Sequence, residues 1–299
     1  GFMGLRSKRT LSAELPKKVG ETVEIYGWVQ NVRETARFIF IVIRDRSGLA
    51  QVTVKRADAS HLESTAKSLK REDVVRVKGR VIESKIAKLG YEIIPEEIEV
   101  LNSAKHPLPL DTSGRVDMEL KVCLDARAIC LRRPEYQAAF RIASNALRAM
   151  REYFISEGYL EVITSRIIAY ASEGGADLFE VKYFDRKAYL AQSPQLYKEM
   201  LAGAFEKVYE IGLFYRAEKS RTTYHLAEFV SVDIEEAFAS MDDVMDTLEG
   251  LVKHVIRVVG EENSEDLKVL NHRLPDFNYR FPRLTYDQVL EMLRNEGFN

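Results

Sequence analysis

Five β-rich runs within residues 22–101 constrain the fold of this chain more than any other feature: TVEIYGWVQNVR (22–33), FIFIVIRD (38–45), LAQVTVK (49–55), DVVRVKGRVIE (73–83) and GYEIIPEEIEVL (90–101). β-Branched and aromatic residues dominate each run, as expected of strands. Asp45 to Gly48 predicts a tight turn between the second and third runs, and DASHLESTAKSLK (58–70) reads as a helix between the third and fourth. The rhythm is that of a small barrel.

Five strands with a helix after the third is the order of the OB-fold. Such barrels bind single-stranded nucleic acid by stacking unpaired bases on exposed aromatics and reading base edges with polar groups. Phe40 and Gln51 are the candidate pair, with Arg33 close by. Against Phe40 stands the alternation of FIFIVI, in which every second residue belongs to a core where an aromatic is more often buried than presented. Charge favours the polyanion reading: residues 1–101 hold 19 Lys and Arg against 14 Asp and Glu, while the remainder holds 25 against 32.

At 299 residues, 46% hydrophobic and 30% charged, the chain is long enough for two domains with cores of their own. Cys123 and Cys130 make neither a disulfide framework nor a zinc site, and are expected as two reduced thiols. No apolar run approaches a membrane span, and GFMGLRSKRT lacks a signal-peptide core, so a cytosolic protein without a membrane partner is expected.

Residues 102–133 change character. HPLPLDTSGR is rich in proline and turn formers and suits a hinge, after which LRRPE opens a helix with Pro134 in its first turn. The expected organisation is therefore a barrel over 1–101, a hinge over 102–133 and a second domain over 134–299. Along the helix from Pro134 to about Glu157, Phe140, Ala143, Leu147, Met150 and Phe154 form one apolar stripe, read as core or dimer surface.

EGYLEVIT then reads as a strand, ASEGGADLF as a loop in which Gly174 and Gly175 permit a lid, and AYLAQSPQLYKEML as a strand turning into a helix at Ser193. Gln192, Gln195 and Lys198 gather at that helix start, two amides and a cation suited to a small anionic ligand. YEIGLFYRAE and FVSVDIEEAFA predict an antiparallel hairpin joined by the polar KSRTTYHLAE. An arginine at the end of one strand, Arg216, can fork onto a phosphate, and an aromatic at the start of the next, Phe229, can stack on a base.

Taken in order, the barrel, LRRPE, FRIASNALRAMREYFISEGYLEV, SEGGADLF, AQSPQLYK, FYRAE, HLAEF and VDIE resemble a class II aminoacyl-tRNA synthetase of the aspartyl type, in its archaeal and eukaryotic form. The resemblance implies an α+β protein: a five-stranded OB-fold barrel, a hinge, and part of an antiparallel-sheet catalytic domain with flanking helices. It implies that Arg216 holds the α-phosphate of ATP, Glu218 the acceptor end of tRNA or the adenine edge, and His225 the distal phosphates. Phe229 would stack on adenine, and Leu226 belongs to the same ATP site. Glu173, Gln192, Gln195 and Lys198 would hold aspartate. Arg33, Phe40 and Gln51 match positions that meet the anticodon of tRNA(Asp), with tRNA(Asn) left open as a second substrate. Gln30 and the region of Lys88 are the candidates for that choice.

The implied reaction uses ATP and Mg²⁺. Aspartate attacks the α-phosphate, pyrophosphate leaves, and the terminal adenosine hydroxyl of tRNA attacks the adenylate. A homodimer is implied as well. Three positions depart from the family pattern: Ser165 follows Thr164 where a proline is usual, Cys130 stands where an acidic residue usually precedes LRRPE, and Tyr224 replaces a usual basic residue. The text through LTYDQVLEMLRNEGFN does not contain the glycine-rich third class motif with its arginine, nor the later acidic residues for Mg²⁺, so no metal ligand is expected within 1–299. Two expectations follow. The chain is the amino-terminal part of an aspartate–tRNA ligase, inactive alone, or it is a catalytically silent tRNA-binding or regulatory paralogue.

Overall fold

The computed structural model describes residues 4–170, 177–219 and 225–298. Two compact units divide the chain, residues 1–136 and 137–299. The boundary falls three residues into a helix. No helix among the described residues is long and apolar enough to cross a membrane.

In the first unit a short helix α1 (Leu5–Lys8) and a 3-10 turn (Ser12–Lys17) lead into β1 (Thr22–Glu34), β2 (Phe38–Asp45), β3 (Gly48–Lys55), helix α2 (Ser60–Ser68), β4 (Val74–Glu83) and β5 (Tyr91–Asn102). The strands close in the order β1-β2-β3-β5-β4, with β1 pairing β4, which is the OB-fold arrangement expected from the five runs. The period-2 pleat decides the core: Ile39, Ile41 and Ile43 of β2 point inward with Val52, Val54, Val75, Val77 and Ile93, and α2 adds Leu62 and Ala66. Phe38, Phe40 and Arg44 take the outward positions of the same strand. The barrel can close because strands cross tightly at glycines: a Cβ on Gly27 would lie 2.4 Å from the Arg44 carbonyl oxygen, and one on Gly79 only 2.3 Å from that of Ile94.

The β2–β3 turn is built on Asp45, whose carboxylate accepts from Ser47 N (2.8 Å), Ser47 Oγ (2.7 Å), Gly48 N (3.1 Å) and Ser12 N (2.7 Å). Burial alone would raise the Asp45 pKa, but these donors outweigh it and hold the carboxyl below its ordinary value.

Residues 102–133 are packed, which the proline-rich text does not foretell. Helices α3 (Leu120–Asp125) and α4 (Arg127–Cys130) bring Cys123 and Cys130 together as a disulfide, buried with Leu110 and lined by Met118, Ile129 and Tyr136. This corrects the expectation of two reduced thiols. The reason is local: a turn at Asp125–Ala126 folds the two short helices onto each other, so residues seven apart in sequence meet. Arg133, also buried, donates to the carbonyl oxygens of Asp111 (3.1 Å) and Val116 (2.9 Å) and to Glu135 (2.6 Å).

Helix α5 (Pro134–Ser156) enters the second unit, followed by β6 (Leu160–Glu161), β7 (Ile167–Ile168), β8 (Glu180–Tyr183), β9 (Arg186–Leu190), α6 (Gln195–Phe205), β10 (Lys207–Tyr215), β11 (Glu228–Glu236), α7 (Met241–Glu262), α8 (Ser264–Val269) and α9 (Tyr286–Asn295). Two small sheets form, β11-β10-β6 and β7-β9-β8. Only the far end of the apolar stripe on α5 is core. Phe154 stacks on Tyr209 with ring centroids 4.6 Å apart and meets Tyr159 edge-on, while Phe140 is 59% exposed.

Candidate functional site

The hairpin expected from YEIGLFYRAE and FVSVDIEEAFA forms as β10 and β11, in the register Tyr215↔Glu228, Phe214↔Phe229, Gly212↔Ser231 and Glu210↔Asp233. Alternation gives it two faces. Tyr209, Ile211, Val232 and Ile234 pack on Phe154, Tyr153 and Leu251, which is the core side. The opposite side carries Glu210, Gly212, Phe214 and Arg216 from β10 and its continuation, with Phe229, Ser231, Asp233 and Glu235 from β11.

On that polar side the expected residues come together. Arg216 leaves the end of β10 with its backbone N–H donating to Ala227 O (2.9 Å), and its guanidinium carbon lies 5.4 Å from the centre of the Phe229 ring. Its Nε is buried and has no hydrogen-bond partner among the described residues, a donor that a phosphate oxygen would satisfy. Glu218, His225 and Leu226 are exposed on the connection. Glu173, the Gly174–Gly175 lid and Tyr224 lie outside the described residues.

Gln192 and Arg216 are tied through one carbonyl. Asp177 O accepts from Gln192 Nε2 (3.3 Å) and from Ala217 N (2.7 Å), the residue after Arg216. Tyr215 N in turn donates to Ala191 O (2.9 Å), the residue before Gln192, and Ala191 N to Arg166 O (2.8 Å). Gln192 and Arg216 thus hang on one peptide ladder.

Lys198 is not the lone cation that its sequence setting suggests. Its Nζ sits 3.6 Å from both Asp233 Oδ1 and Glu235 Oε2 and donates to Ile234 O (3.4 Å), so β11 fixes its position. Gln195 opens α6 and donates from Nε2 to Glu199 (2.7 Å), one turn on. Asp233, Glu235 and Asp177 were not foreseen. The alternation of FVSVDIEE marks the first two; a carbonyl acceptor such as that of Asp177 has no sequence signature.

On this face the buried Glu210 pairs with the partly exposed Arg166. Glu210 accepts from Thr164 N (2.9 Å), Thr164 Oγ1 (2.8 Å) and Arg166 Nη2, and the Arg166 guanidinium lies 4.4 Å over Phe214. Gly212 makes room for it: a Cβ there would fall 2.2 Å from Arg166 Nη2.

In the first unit, Arg33, Phe40 and Gln51 also come together, on the outside of the barrel. Arg33 pairs with Phe40, and Phe40 with Thr53, across three strands. The Arg33 guanidinium carbon lies 4.6 Å over the Phe40 ring, which is half-buried and presented rather than core. Phe38 stands beside it at 5.6 Å. Gln51 Nε2 faces Thr53 Oγ1 (3.3 Å), which donates to Glu92 of β5 (2.7 Å). An aromatic platform with hydrogen-bonding groups on the neighbouring strands is the equipment for stacking and reading an unpaired base. Glu92 was missed because it comes from the fifth run, forty residues away.

Comparison with known proteins agrees with both units. Residues 119–297 match the family described as tRNA synthetases class II (D, K and N), and residues 23–101 match the OB-fold nucleic acid binding domain. The chain belongs to the class II tRNA synthetases. It is 47% identical to an aspartate–tRNA(Asp) ligase of Pyrococcus horikoshii over 93% of its length, and 44% identical to an aspartate–tRNA(Asp/Asn) ligase of Sulfurisphaera tokodaii over 95%. It spans 64% and 66% of the lengths of those two relatives. Among solved structures it resembles the asparaginyl-tRNA synthetase of Pyrococcus horikoshii in complex with asparaginyl-adenylate, at a TM-score of 0.87 and 30% identity, covering 100% of this chain and 68% of that one. The aspartyl-tRNA synthetase of Entamoeba histolytica aligns at a TM-score of 0.81 and 28% identity, covering 98% and 64%.

Proposed function

We propose that this synthetase is an aspartate–tRNA ligase, activating aspartate with ATP and transferring it to tRNA(Asp) in the cytoplasm. The observation that carries the reading is the shared Asp177 carbonyl, which holds Gln192 and the Arg216–Ala217 peptide at one place, so that an amino acid and a nucleotide would be bound side by side. The names of the relatives favour aspartate as that amino acid.

Arg216 would meet the α-phosphate, where its fork opposes the charge that accumulates as the aspartate carboxylate attacks and pyrophosphate leaves. Phe229 would stack on adenine, with Glu218, His225 and Leu226 supplying further contacts to ATP. Lys198, oriented by Asp233 and Glu235, would meet the aspartate side chain together with Gln195, and an ammonium favours a carboxylate over the neutral amide of asparagine. Little covalent work falls to these residues, so rate comes from alignment. Mg²⁺ would lower the charge on the phosphates. Among the described residues no group of three or more His, Cys, Asp or Glu could hold a metal ion. The barrel face of Arg33, Phe40 and Gln51 would read the anticodon, with tRNA(Asn) as a second substrate to be tested. The exposed start of the α5 stripe, at Phe140, would pack in a homodimer.

The test is ATP–pyrophosphate exchange by the protein that contains this chain, with aspartate or asparagine supplied. Exchange that depends on aspartate supports the reading, and exchange that depends on asparagine overturns it. Tight tRNA binding with no exchange under either amino acid would make it a silent binder instead.

A further inference from the structure

Arg132 connects the disulfide to the barrel. Two residues after Cys130, its guanidinium carbon lies 5.9 Å from the centre of the Trp28 ring, and its Nη1 lies 3.9 Å from Glu72. Trp28 is the only tryptophan of the chain, and Arg44, paired with Glu72 at 2.7 Å, lies 5.8 Å from the same ring. Between Cys130 and Arg132 there is a single residue, so whatever fixes Cys130 fixes where the Arg132 side chain starts.

The disulfide is not chemically symmetric. Arg127 Nη1 donates to Cys123 Sγ at 3.2 Å, and a guanidinium beside a sulfur favours that sulfur as a thiolate. Both cysteines are buried, but α4, which carries Cys130 as its last residue, is a helix of only four residues. Fraying of the last residue of α4 would expose Cys130 while Arg127, at the first position of that helix, stays beside Cys123.

We propose that Cys123–Cys130 is a reversible thiol–disulfide site, open to a dithiol reductant, whose oxidised form holds Arg132 on Trp28. In reduction, a reductant thiolate attacks Cys130 Sγ, forming a mixed disulfide and expelling Cys123 as the thiolate paired with Arg127. The second reductant thiol then attacks the reductant's own sulfur in the mixed disulfide and releases Cys130. Two electrons and two protons pass to the protein, and the reductant leaves as its disulfide. The freed connector lets Arg132 leave the ring. Nothing in this depends on the aminoacylation reading.

The lone tryptophan makes the test direct. The native chain is treated with dithiothreitol, the thiols are counted by alkylation and mass, and Trp28 emission is recorded with circular dichroism as a check on folding. The expected result is full reduction with secondary structure intact, a shift in Trp28 emission, and recovery of the original spectrum on reoxidation. Arg132→Ala in the oxidised state should already show the shifted emission and change no further on reduction. The proposal fails if the bond is absent before treatment, if it is reduced only under conditions that unfold the barrel, or if reduction leaves Trp28 emission unchanged.

Discussion

Arg166 and Glu210 form an ion pair on the polar side of the hairpin, with Glu210 only 1% exposed and the guanidinium carbon 4.4 Å from the centre of the Phe214 ring. Arg166 O receives Ala191 N, and Ala191 O receives Tyr215 N, so the pair sets the peptide ladder from which Gln192 and Arg216 project. A pair of this kind gives little net stability over an apolar replacement, but breaking it is costly because a buried group is left without a partner.

Glu210→Ala, which leaves the Thr164 N–H without its acceptor, should therefore destabilise the second unit by about 1–3 kcal/mol, measured by denaturant unfolding. Gly212→Ala should also destabilise, since its Cβ would meet Arg166 Nη2 at 2.2 Å and the guanidinium is held from both sides. A Gly212→Ala protein as stable as wild type would show that Arg166 moves freely and that the pair positions nothing.

On the barrel, Phe40 faces outward beside Arg33, whereas Ile41 is fully buried. Phe40→Ala should lower affinity for an anticodon stem-loop RNA by about 1–3 kcal/mol with little change in melting temperature. Ile41→Ala should do the reverse, costing about 2–5 kcal/mol of stability. Binding should weaken steeply with salt. Anisotropy titrations and thermal melts separate the two outcomes, and equal melting losses would put Phe40 in the core after all.

Much of this arrangement was legible in the sequence because it depends on local periodicity. The β-rich text marked β2 as a strand, and Asp45 to Gly48 marked its turn. The hairpin was readable from its two β-rich runs, and even Asp233 and Glu235 follow from every second residue of FVSVDIEE. Contacts between distant segments were not legible. Nothing in the text near Lys198 shows that two carboxylates some thirty-five residues on will hold it. Cys123 and Cys130 looked like an isolated pair, because two short helices folding back at a turn leave no repeating pattern. Phe40 was ambiguous for a different reason: FIFIVI is apolar at every position, so the text shows the alternation without showing which set faces inward.

Asp45 gives the barrel a dependence on acid. Its folded-state pKa is depressed by the Ser47 and Ser12 hydrogen bonds, which overcome the opposing effect of burial. A depressed carboxylate stabilises fully above its unfolded pKa, and that stabilisation is lost as pH falls through the folded value. Urea midpoints measured from about pH 7 down to about pH 3 should therefore drop for wild type below the ordinary carboxylate range. Asp45→Asn should be less stable at neutral pH and should lose less on acidification. Parallel curves for the two proteins would mean that another carboxylate controls the acid limb.

Lys198→Ala should raise the aspartate concentration needed for pyrophosphate exchange far more than the ATP concentration. The variant also leaves Asp233 and Glu235 facing each other without their cation, so binding of an anionic side chain is opposed as well as unsupported. Equal increases for both substrates would indicate a general disturbance of β11 instead.

Arg216→Lys is the sharpest probe of the nucleotide side. Lysine keeps the charge but loses the planar fork and the packing of a guanidinium on Phe229, now at 5.4 Å. If Arg216 acts on charge that develops at the α-phosphate, the exchange rate should fall about 100- to 1,000-fold, with a much smaller change in the ATP concentration at half-maximal rate. Phe229→Leu should show the opposite balance, raising the ATP requirement while sparing the rate at saturation, because stacking on adenine is the same in the ground and transition states. A rate loss for Phe229→Leu as large as that for Arg216→Lys would mean that the ring serves mainly to hold the arginine, and adenine would have to be sought elsewhere on the face.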